Sequence, residues 1–335
     1  MTALRWGIAG AGGISRSFVV ALRTLPKSEH QLVAVGARDV GRARQFCDDN
    51  MIATAKAHGS YAELARDDCI DVVYVGVVTG MHHDVVNLLL KAGKHVVCEK
   101  PLGVNAQQVS SMIECARKYK RFLMEGVWSL FFPAMVRLRE ELERETVGEP
   151  TIVTGHFGMK LDSSVNMYGP DGGSLIHLGM YLVAFARYIF REKSHSVAAV
   201  AEPYPSGVDA CTAFSIKYPR GKMATFICSS QITCDDNGVT VYGTKGKLEI
   251  PNSIQSPTRL NTPERKHDFT SDLPHADVQT NHKNATGFTY QIKHVKECLE
   301  KGLLESPIIS HEDSLEIVKT LDEIRKQANI TYDCD

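Results

Sequence analysis

Over the first 125 residues, short continuous apolar runs alternate with stretches in which apolar residues recur at helical spacing. Continuous runs bounded by turn residues are typical of inner strands of a parallel sheet, and the amphipathic stretches between them predict connecting helices. The predicted strands are residues 4–9, 31–37, 71–78, 95–98 and 121–124. This alternation predicts a doubly wound parallel sheet and therefore an α/β fold.

Beyond residue 125 the pattern changes. Between residues 197 and 250, short strands are separated by turn sequences such as YPRGK and YGTKGK, which favours an antiparallel sheet. Helical spacing returns at residues 134–145, 175–189, 288–300 and 311–327. We therefore predict two domains, residues 1–125 with the parallel sheet and residues 126–335 with a mixed α+β arrangement.

The first predicted strand runs into the sequence GAGGIS, and a helical stretch follows. A strand, a glycine turn and a helix in this order are the context of a dinucleotide-binding fingerprint. Gly10 permits the tight turn. Gly12, followed by Gly13 and Ile14, lets the backbone approach a pyrophosphate at the helix N-terminus, where free N–H groups favour anions. Ser15 replaces the third glycine of the fingerprint, and a small residue still permits close helix–strand packing.

The end of the second predicted strand, Ala37-Arg38-Asp39, bears on the choice of cofactor. An acidic residue here usually holds the ribose 2′-hydroxyl of NAD, whereas an arginine suits the 2′-phosphate of NADP. Arg38 comes first, with Arg42 and Arg44 nearby, so the sequence favours NADP over NAD. The alternative is that these arginines only solvate the helix that follows.

A lysine stands just beyond the fourth predicted strand, in the sequence AGKHVVCEKP. Gly93 is suited to end the preceding helix, and Pro101, which has no N–H donor, should stop strand pairing near Lys100. Ligands bind outside the carboxyl ends of strands in open α/β sheets, so Lys100 stands where chemistry is expected. Taken alone, a solvated lysine at a strand end is the simpler interpretation.

Other polar side chains are candidates for the same chemistry. The third predicted strand ends in VVTGMHH, where Thr79 and His82 should meet the middle of a bound dinucleotide, although a capping or surface histidine is an equal alternative. His177 and Tyr181 are spaced i, i+4 on a predicted helix and share one face. If that face lines a cleft, the pair can move protons opposite Lys100; if it faces the core, they are ordinary buried polar residues.

Composition excludes several other classes of protein. The chain has 335 residues, 43% of them hydrophobic, and its net charge of −1 gives no general attraction to nucleic acid or to an anionic membrane. Its nine cysteines form no CxxC pair and no Cys/His cluster at zinc spacing, so we expect free thiols and no bound metal. No apolar run approaches the roughly 20 residues that span a bilayer. We expect a soluble cytoplasmic protein that acts on a small molecule.

Three stretches, GIAGAGGIS, HHDVVNLLLKAGKHVVCEKP and EGVWSLFFP, make the chain similar to the glucose-fructose oxidoreductase/inositol dehydrogenase/MocA family, and to its dihydrodiol branch in particular. The likeness continues through SGVDACTAFSIKYPRG, VYGTKGKLEI and YQIKHVKECLEKGLLESPII, so it covers nearly the whole chain. It implies an N-terminal Rossmann domain that binds NADP. It also implies a C-terminal α+β domain with an open, mostly antiparallel sheet, whose exposed face commonly makes a homodimer.

The resemblance also assigns roles to single residues. It implies that the glycine turn, Gly10 to Ile14, lines the pyrophosphate and that Arg38 holds the 2′-phosphate. It places His82, Glu99 and Lys100 near the nicotinamide half, with Lys100 as the catalytic lysine. Such a lysine, shielded from water beside a positively charged nicotinamide, has a lowered pKa and can relay a proton while hydride moves.

Trp128 lies in the segment that the resemblance places near the nicotinamide. The chain departs from the family pattern at three positions around the expected site. His177 stands where an aspartate is usual, Val77 begins a Val-Val-Thr strand end in place of Thr-Pro-Asn, and Leu130 replaces an arginine. These departures keep three functions open.

The first function is an NADP-dependent oxidoreductase acting on a trans-dihydrodiol or on an aldopentose-like sugar. Lys100 would be the acid/base, Tyr181 would bond to the reacting hydroxyl, and His177 would orient it or relay a proton. The second is an enzyme of the same scaffold without net redox chemistry, such as an isomerase, lyase or glycosidase. The third is a binding or structural protein that has lost catalysis.

Overall fold

A computed structural model describes residues 3–161 and 172–332 of the chain. The strands of this part are β1 (Leu4–Ala9), β2 (His30–Gly36), β3 (Lys56–His58), β4 (Val72–Val75), β5 (His95–Glu99), β6 (Leu123–Gly126), β7 (Pro150–Gly158), β8 (Ser196–Pro203), β9 (Asp209–Lys217), β10 (Met223–Ser229), β11 (Val239–Gly243), β12 (Gly246–Ile250), β13 (Arg259–Asn261) and β14 (Lys266–Asp268). The helices are α1 (Gly13–Arg23), α2 (Val40–Asp49), α3 (Tyr61–Ala65), α4 (His82–Lys91), α5 (Ala106–Tyr119), α6 (Pro133–Glu143), α7 (Met180–Phe190), α8 (Phe288–Glu300) and α9 (His311–Gln327).

The first six strands form one sheet in the order β3-β2-β1-β4-β5-β6, and neighbouring strands pair in parallel. Their continuous apolar sequences bury both faces, as the VVYV of β4 shows with four fully buried residues. The chain turns in opposite directions from β1, toward β2 on one side and β4 on the other. The predicted doubly wound α/β sheet is therefore confirmed, and its switch point lies between β1 and β4.

One predicted strand is longer than the strand in the structure. The apolar pattern extends the third strand to residue 78, but β4 ends at Val75 and a 3₁₀ turn covers Thr79–Met81. Gly76 explains the early end, because a Cβ there would come within 2.4 Å of Ser15 Oγ, so only glycine lets helix α1 approach so closely. The side chain of Val78, counted as strand core from its pattern, is 53% exposed.

The second sheet has eight strands in the order β14-β13-β12-β11-β7-β10-β9-β8. Strands β7 and β10 pair in parallel, and the other neighbours pair antiparallel. Strand β10 alternates over its first six residues, with Ala224, Phe226 and Cys228 buried and Met223 and Ile227 exposed. A mostly antiparallel sheet with one face buried confirms the predicted mixed architecture of the second half.

The chain forms two compact units. Unit 1 comprises residues 1–103, 107–128 and 273–311, and unit 2 comprises residues 104–106, 129–272 and 312–335. The sequence pattern did not predict that residues 273–311 return to the first unit. Aromatic packing accounts for the return, because Phe288 of α8 lies edge-on against both Phe18 and Tyr74, whose rings stack 3.8 Å apart.

No helix within residues 3–161 and 172–332 is long and apolar enough to cross a membrane.

Candidate functional site

The glycine turn after β1 is built around the backbone of Gly10. Its φ of +106° lies where side chains are strained, and a Cβ there would stand 2.7 Å from the carbonyl oxygen of Gly76. The Val77 side chain fills the remaining space, since its Cγ1 lies 3.0 Å from the same Cβ position. A glycine is therefore required where the turn crosses the end of β4.

The first turn of α1 leaves its backbone donors open to an anion. Gly12, the N-cap, brings no side-chain acceptor, and no acidic residue stands in the first turn. Among the described residues, a Cβ placed at Gly12 would have only the Gly76 carbonyl oxygen within 4 Å, at 3.8 Å. A Cβ placed at Gly13 would have only Asn281 Nδ2 within that distance, at 3.9 Å. No described atom thus crowds the Cβ positions of Gly12 and Gly13, and this turn fits the pyrophosphate of a dinucleotide.

Asp39 has a structural partner at the end of β2. Its carboxylate Oδ1 accepts a 2.8 Å hydrogen bond from the backbone N–H of Arg42 and so caps helix α2. Arg38 is exposed, and it takes part in no ion pair between described residues. Burial raises the pKa of the nearby Tyr61, and the charges of Arg38 and Arg42 oppose that rise. Two guanidinium groups therefore lie near Tyr61, while one oxygen of the Asp39 carboxylate is engaged in the cap.

His82 begins helix α4 and connects two backbone segments. Its Nδ1 lies 2.9 Å from the carbonyl oxygen of Pro101, and its Nε2 lies 3.2 Å from that of Val77. The imidazole is 1% exposed, and the neighbouring Thr79 is 8% exposed. The buried ring thus connects the loop after β4 to the loop after β5, where Lys100 stands; its contact with a dinucleotide stays a prediction.

Glu99 ends strand β5, and Lys100 follows it at the carboxyl edge of the parallel sheet. Tyr74, in the middle of β4, donates a 2.7 Å hydrogen bond to Glu99 Oε1. The Lys100 backbone N–H lies 3.3 Å from Glu99 Oε2, and the Lys100–Pro101 peptide bond is cis. Glu125 Oε1 accepts from the Leu102 N–H at 2.9 Å, so a second carboxylate stands at the same strand ends.

Burial changes the ionisation of both groups. It raises the pKa of Glu99 to about 7, against the opposing effects of the Tyr74 hydrogen bond and the Lys100 charge. Burial lowers the pKa of Lys100 to about 8, against the attraction of Glu99 and Glu125. A lysine with this pKa exists in both protonation states near neutral pH, which is what proton transfer requires.

Trp128 belongs to the first unit and is 3% exposed. Its ring stacks on Phe288, with the centroids 4.4 Å apart and the planes 12° from parallel. Phe288 in turn contacts the Tyr74 ring that bonds to Glu99. The indole is therefore joined by ring contacts to the side chains around Lys100.

His177 and Tyr181 belong to the second unit, at the start of the helix predicted for residues 175–189. That helix begins with a π-helical turn, Leu175–Gly179, before α7 continues as a regular helix. His177 lies within the π turn and is half-buried. Tyr181 is 7% exposed, and its ring packs edge-on against Phe157 at 5.9 Å. Single π turns often occur at functional positions in helices.

Asp209 holds the beginning of this π turn. Its Oδ2 accepts hydrogen bonds from the Ser174 hydroxyl at 2.5 Å, the Leu175 N–H at 2.7 Å and the Thr212 hydroxyl at 2.7 Å. The carboxyl group is fully buried, which raises its pKa although each of these bonds opposes the rise. Gly173 makes room for it, since a Cβ there would lie 2.2 Å from Asp209 Oδ1.

The sequence patterns gave no prediction of a polar role for Tyr74 or Asp209. Tyr74 lies in an apolar run, so its sequence pattern is that of a core residue. Only its hydrogen bond to Glu99, at the end of the neighbouring strand, gives it a polar role. The role of Asp209 could have been predicted, because an acidic residue at the start of an apolar strand needs hydrogen-bond donors when it is buried. In residues 3–161 and 172–332 no three His, Cys, Asp or Glu side chains are grouped to hold a metal ion.

The structure combines an open glycine turn, at the switch point of a parallel sheet, with a lysine of lowered pKa two strands away. Together these two features are typical of dinucleotide-binding oxidoreductases. A family model described as an oxidoreductase family with an NAD-binding Rossmann fold, GFO_IDH_MocA, matches residues 4–127. The GFO/IDH/MocA C-terminal domain model matches residues 135–249. The chain belongs to the Gfo/Idh/MocA family of oxidoreductases.

Curated relatives match the chain along its whole length. A trans-1,2-dihydrobenzene-1,2-diol dehydrogenase of Sus scrofa is 42% identical, and the match covers 99% of each chain. The Homo sapiens protein of the same name is 39% identical, again over 99% of each chain. The predicted resemblance to the dihydrodiol branch is therefore confirmed.

Solved structures share the fold at lower identity. An aldose-aldose oxidoreductase from Caulobacter crescentus in complex with glycerol superimposes with a TM-score of 0.82 at 22% identity, covering 98% of each chain. A 3-ketoreductase from Actinomadura kijaniata in complex with NADP and TDP-benzene gives 0.81 at 23% identity, covering 98% of each chain.

Proposed function

We propose that the protein is an NADP-dependent dehydrogenase that oxidises a hydroxyl of a trans-dihydrodiol or of an aldopentose such as D-xylose, with Lys100 as acid/base. The observation that carries the proposal is the position of Lys100 beside buried Glu99 at the carboxyl end of β5, with a pKa lowered to about 8. The names of the curated relatives support the diol as substrate. The aldopentose rests on the family resemblance alone.

In this proposal Lys100 acts through its neutral amine. The amine takes the proton of the substrate hydroxyl as the carbinol carbon loses hydride, and the ammonium returns that proton in the reverse direction. The nicotinamide, when bound, supplies the hydride acceptor or donor. Glu99, held by the Tyr74 hydroxyl at 2.7 Å, stabilises the ammonium once it forms.

Two roles in the second unit complete the proposal and rest on the family resemblance. Tyr181 donates a hydrogen bond to the reacting hydroxyl, and His177 orients that hydroxyl or relays its proton. The π turn that contains His177, fixed by buried Asp209, gives these side chains a defined position on their own helix. A fixed position is what catalysis by orientation requires.

The proposed preference for NADP rests on a difference between two neighbouring residues: Asp39 is engaged in a helix cap, whereas Arg38 is exposed. Asp39 caps α2 through Oδ1, so one oxygen of its carboxylate is already engaged. Arg38 is exposed and has Arg42 beside it, as a 2′-phosphate would require.

We expect Arg38→Ala to weaken NADPH binding about tenfold to a hundredfold, because hydrogen bonds to a charged group are lost. NADH binding should change less than about twofold, since NADH has no 2′-phosphate. Calorimetric titration of wild type and variant with both nucleotides measures the difference. Arg66→Ala, which changes an exposed arginine at the end of helix α3 in the same unit, is the control. Equal losses for both nucleotides would contradict the NADP assignment, and a wild type that binds neither would contradict the proposed function.

We also propose a homodimer through the exposed face of the second sheet. Five large apolar side chains lie on four strands of that sheet: Ile152 (47% exposed), Val200 (70%), Met223 (43%), Ile227 (46%) and Tyr242 (41%). The cross-strand register makes the surface continuous, because Met223 and Tyr242 both lie opposite Ile152. A second copy of the same face would cover this apolar area symmetrically.

Ile227→Asp should raise the dimer dissociation constant by about a hundredfold or more, because a charge would be buried at the centre of the apolar face. Sedimentation velocity over a range of protein concentrations checks this. Met51→Asp, which changes an exposed methionine of the first unit, should leave the association unaltered. A wild-type monomer at every concentration would rule the dimer out.

A further inference from the structure

Residues 279–284 form a short strap between strand β14 and helix α8, in the part of the chain that returns to the first unit. The strap leads into a buried 3₁₀ turn, Ala285–Gly287, that packs against helix α1. Inside the strap, the Thr280 hydroxyl donates to the His282 carbonyl at 2.7 Å, and the Ala285 N–H donates to the same oxygen at 3.2 Å. These bonds give the strap a defined path along α1.

Two side chains of the strap reach the first turns of α1. His282 Nδ1 lies 2.9 Å from the hydroxyl of Ser17, a buried residue one turn into the helix. Asn281 Nδ2 lies 3.9 Å from the position that a Cβ would take at Gly13. The carboxamide donor is therefore beside the free amides of the glycine turn, on the side where α1 is open.

The strap also lies near the proposed catalytic lysine. The pKa of His282 is lowered by desolvation and then by the charge of Lys100. The two strap side chains therefore lie along the path from the glycine turn to Lys100. In the proposed function that path is followed by the pyrophosphate and the nicotinamide half of the cofactor.

We propose that the 279–284 strap is part of the dinucleotide site, with Asn281 donating a hydrogen bond to the pyrophosphate and His282 holding the strap to Ser17. This assignment rests on the proposed function and adds to it two binding residues from the last third of the chain. Asn281 acts on the ligand directly. His282 acts through the strap and is a positioning residue.

The first test changes the charge at Asn281. Asn281→Asp keeps the shape but places a carboxylate beside the pyrophosphate, and we expect about a hundredfold weaker binding; Asn281→Ala, which only removes the donor, should cost about tenfold. Because both nucleotides carry the pyrophosphate, NADPH and NADH should lose affinity equally, measured by calorimetry. Gln107→Asp, at an exposed position of helix α5 in the same unit but outside the strap, should bind within about twofold of wild type.

The second test examines the link between His282 and Ser17. His282→Ala and Ser17→Ala should each weaken NADPH binding by about three- to tenfold, and the double variant should be no weaker than the worse single variant. Hydrogen exchange should also show that NADPH protects the strap amides in wild type and protects them less in His282→Ala. Strictly additive losses would overturn the positioning role.

The outcomes separate this inference from the proposed function. Wild type that binds NADPH, together with Asn281→Asp that binds it as tightly, would overturn the strap and leave the function intact. A loss confined to NADPH would also overturn it, because the side chain would then act at the 2′-phosphate. Wild type that binds neither nucleotide would overturn both proposals.

Discussion

Lys100→Met is expected to lower kcat for diol oxidation by about two orders of magnitude or more, because the variant has no group to accept the hydroxyl proton. Methionine has nearly the length of lysine and suits the partly buried position that follows β5, so the fold and the glycine turn should stay intact. Dinucleotide affinity, measured by quenching of Trp128 fluorescence and by calorimetry, should change much less than kcat. The loss would then belong to the chemical step.

The matched control is Lys91→Met, an exposed lysine at the end of helix α4 in the same unit. It should turn over at the wild-type rate. If Lys100→Met kept the wild-type kcat, Lys100 would have no part in the mechanism. If it lost affinity for NADPH to the same extent as kcat, Lys100 would be a cofactor contact rather than the acid/base.

The pH profile follows from the same lysine. Burial lowers its pKa to about 8, so the neutral amine that oxidation requires predominates above that pH. Oxidation should therefore speed up as pH rises through about 8 and then level off. Reduction, which requires the ammonium, should slow over the same range.

Gly10→Ala is expected to weaken dinucleotide binding by about a hundredfold, which corresponds to ~2.7 kcal/mol. The φ of +106° strains any side chain, and the new Cβ would stand 2.7 Å from the Gly76 carbonyl oxygen. Backbone cannot move aside as a flexible side chain can, so the turn must shift away from the pyrophosphate. Calorimetric titration with NADPH measures the loss.

Gly302→Ala separates the effect of a positive φ from the effect of the close contact with the Gly76 carbonyl oxygen. Gly302 also has a positive φ, of +68°, but a Cβ there would meet nothing within 4 Å. It should lower the free energy of unfolding by about 1 kcal/mol and leave NADPH affinity unchanged. If Gly10→Ala also kept its affinity for NADPH, the turn after β1 would not be where the pyrophosphate binds.

The parallel sheet could be predicted because its signals are local. Strand β1 and helices α8 and α9 have the predicted bounds, since each is a compact apolar pattern with clear end signals. The glycine turn and the position of Lys100 followed from the same patterns. In both cases about ten consecutive residues are enough to identify the residue type, the strand before it and the sheet edge where that strand ends.

The missed features depend on contacts between distant parts of the sequence. The π turn at Leu175–Gly179 is held by Asp209, 34 residues away, so helical periodicity alone predicts a regular helix. The polar role of Tyr74 needs Glu99, 25 residues further on. The strap needs the return of residues 273–311 to the first unit, which no pattern within that segment indicates.

The structure gives packing roles to two of the three residues that depart from the family pattern. Val77, which lacks the hydroxyl usual in the family, packs its side chain against the Gly10 turn and offers its carbonyl oxygen to His82. Leu130 is 4% exposed and occupies a core position of the second unit. These two residues have taken up packing roles. Of the three departures, only His177 keeps a role in the proposed chemistry.

The most direct test of the central claim is incubation of the purified protein with NADP and trans-1,2-dihydrobenzene-1,2-diol. The absorbance of reduced nicotinamide and the amount of oxidised diol are followed together. We predict that NADPH accumulates in step with the oxidised diol, faster than the corresponding reaction with NAD. Tight binding of NADP without any change in its redox state, while the diol is converted or left untouched, would contradict the assignment as a dehydrogenase.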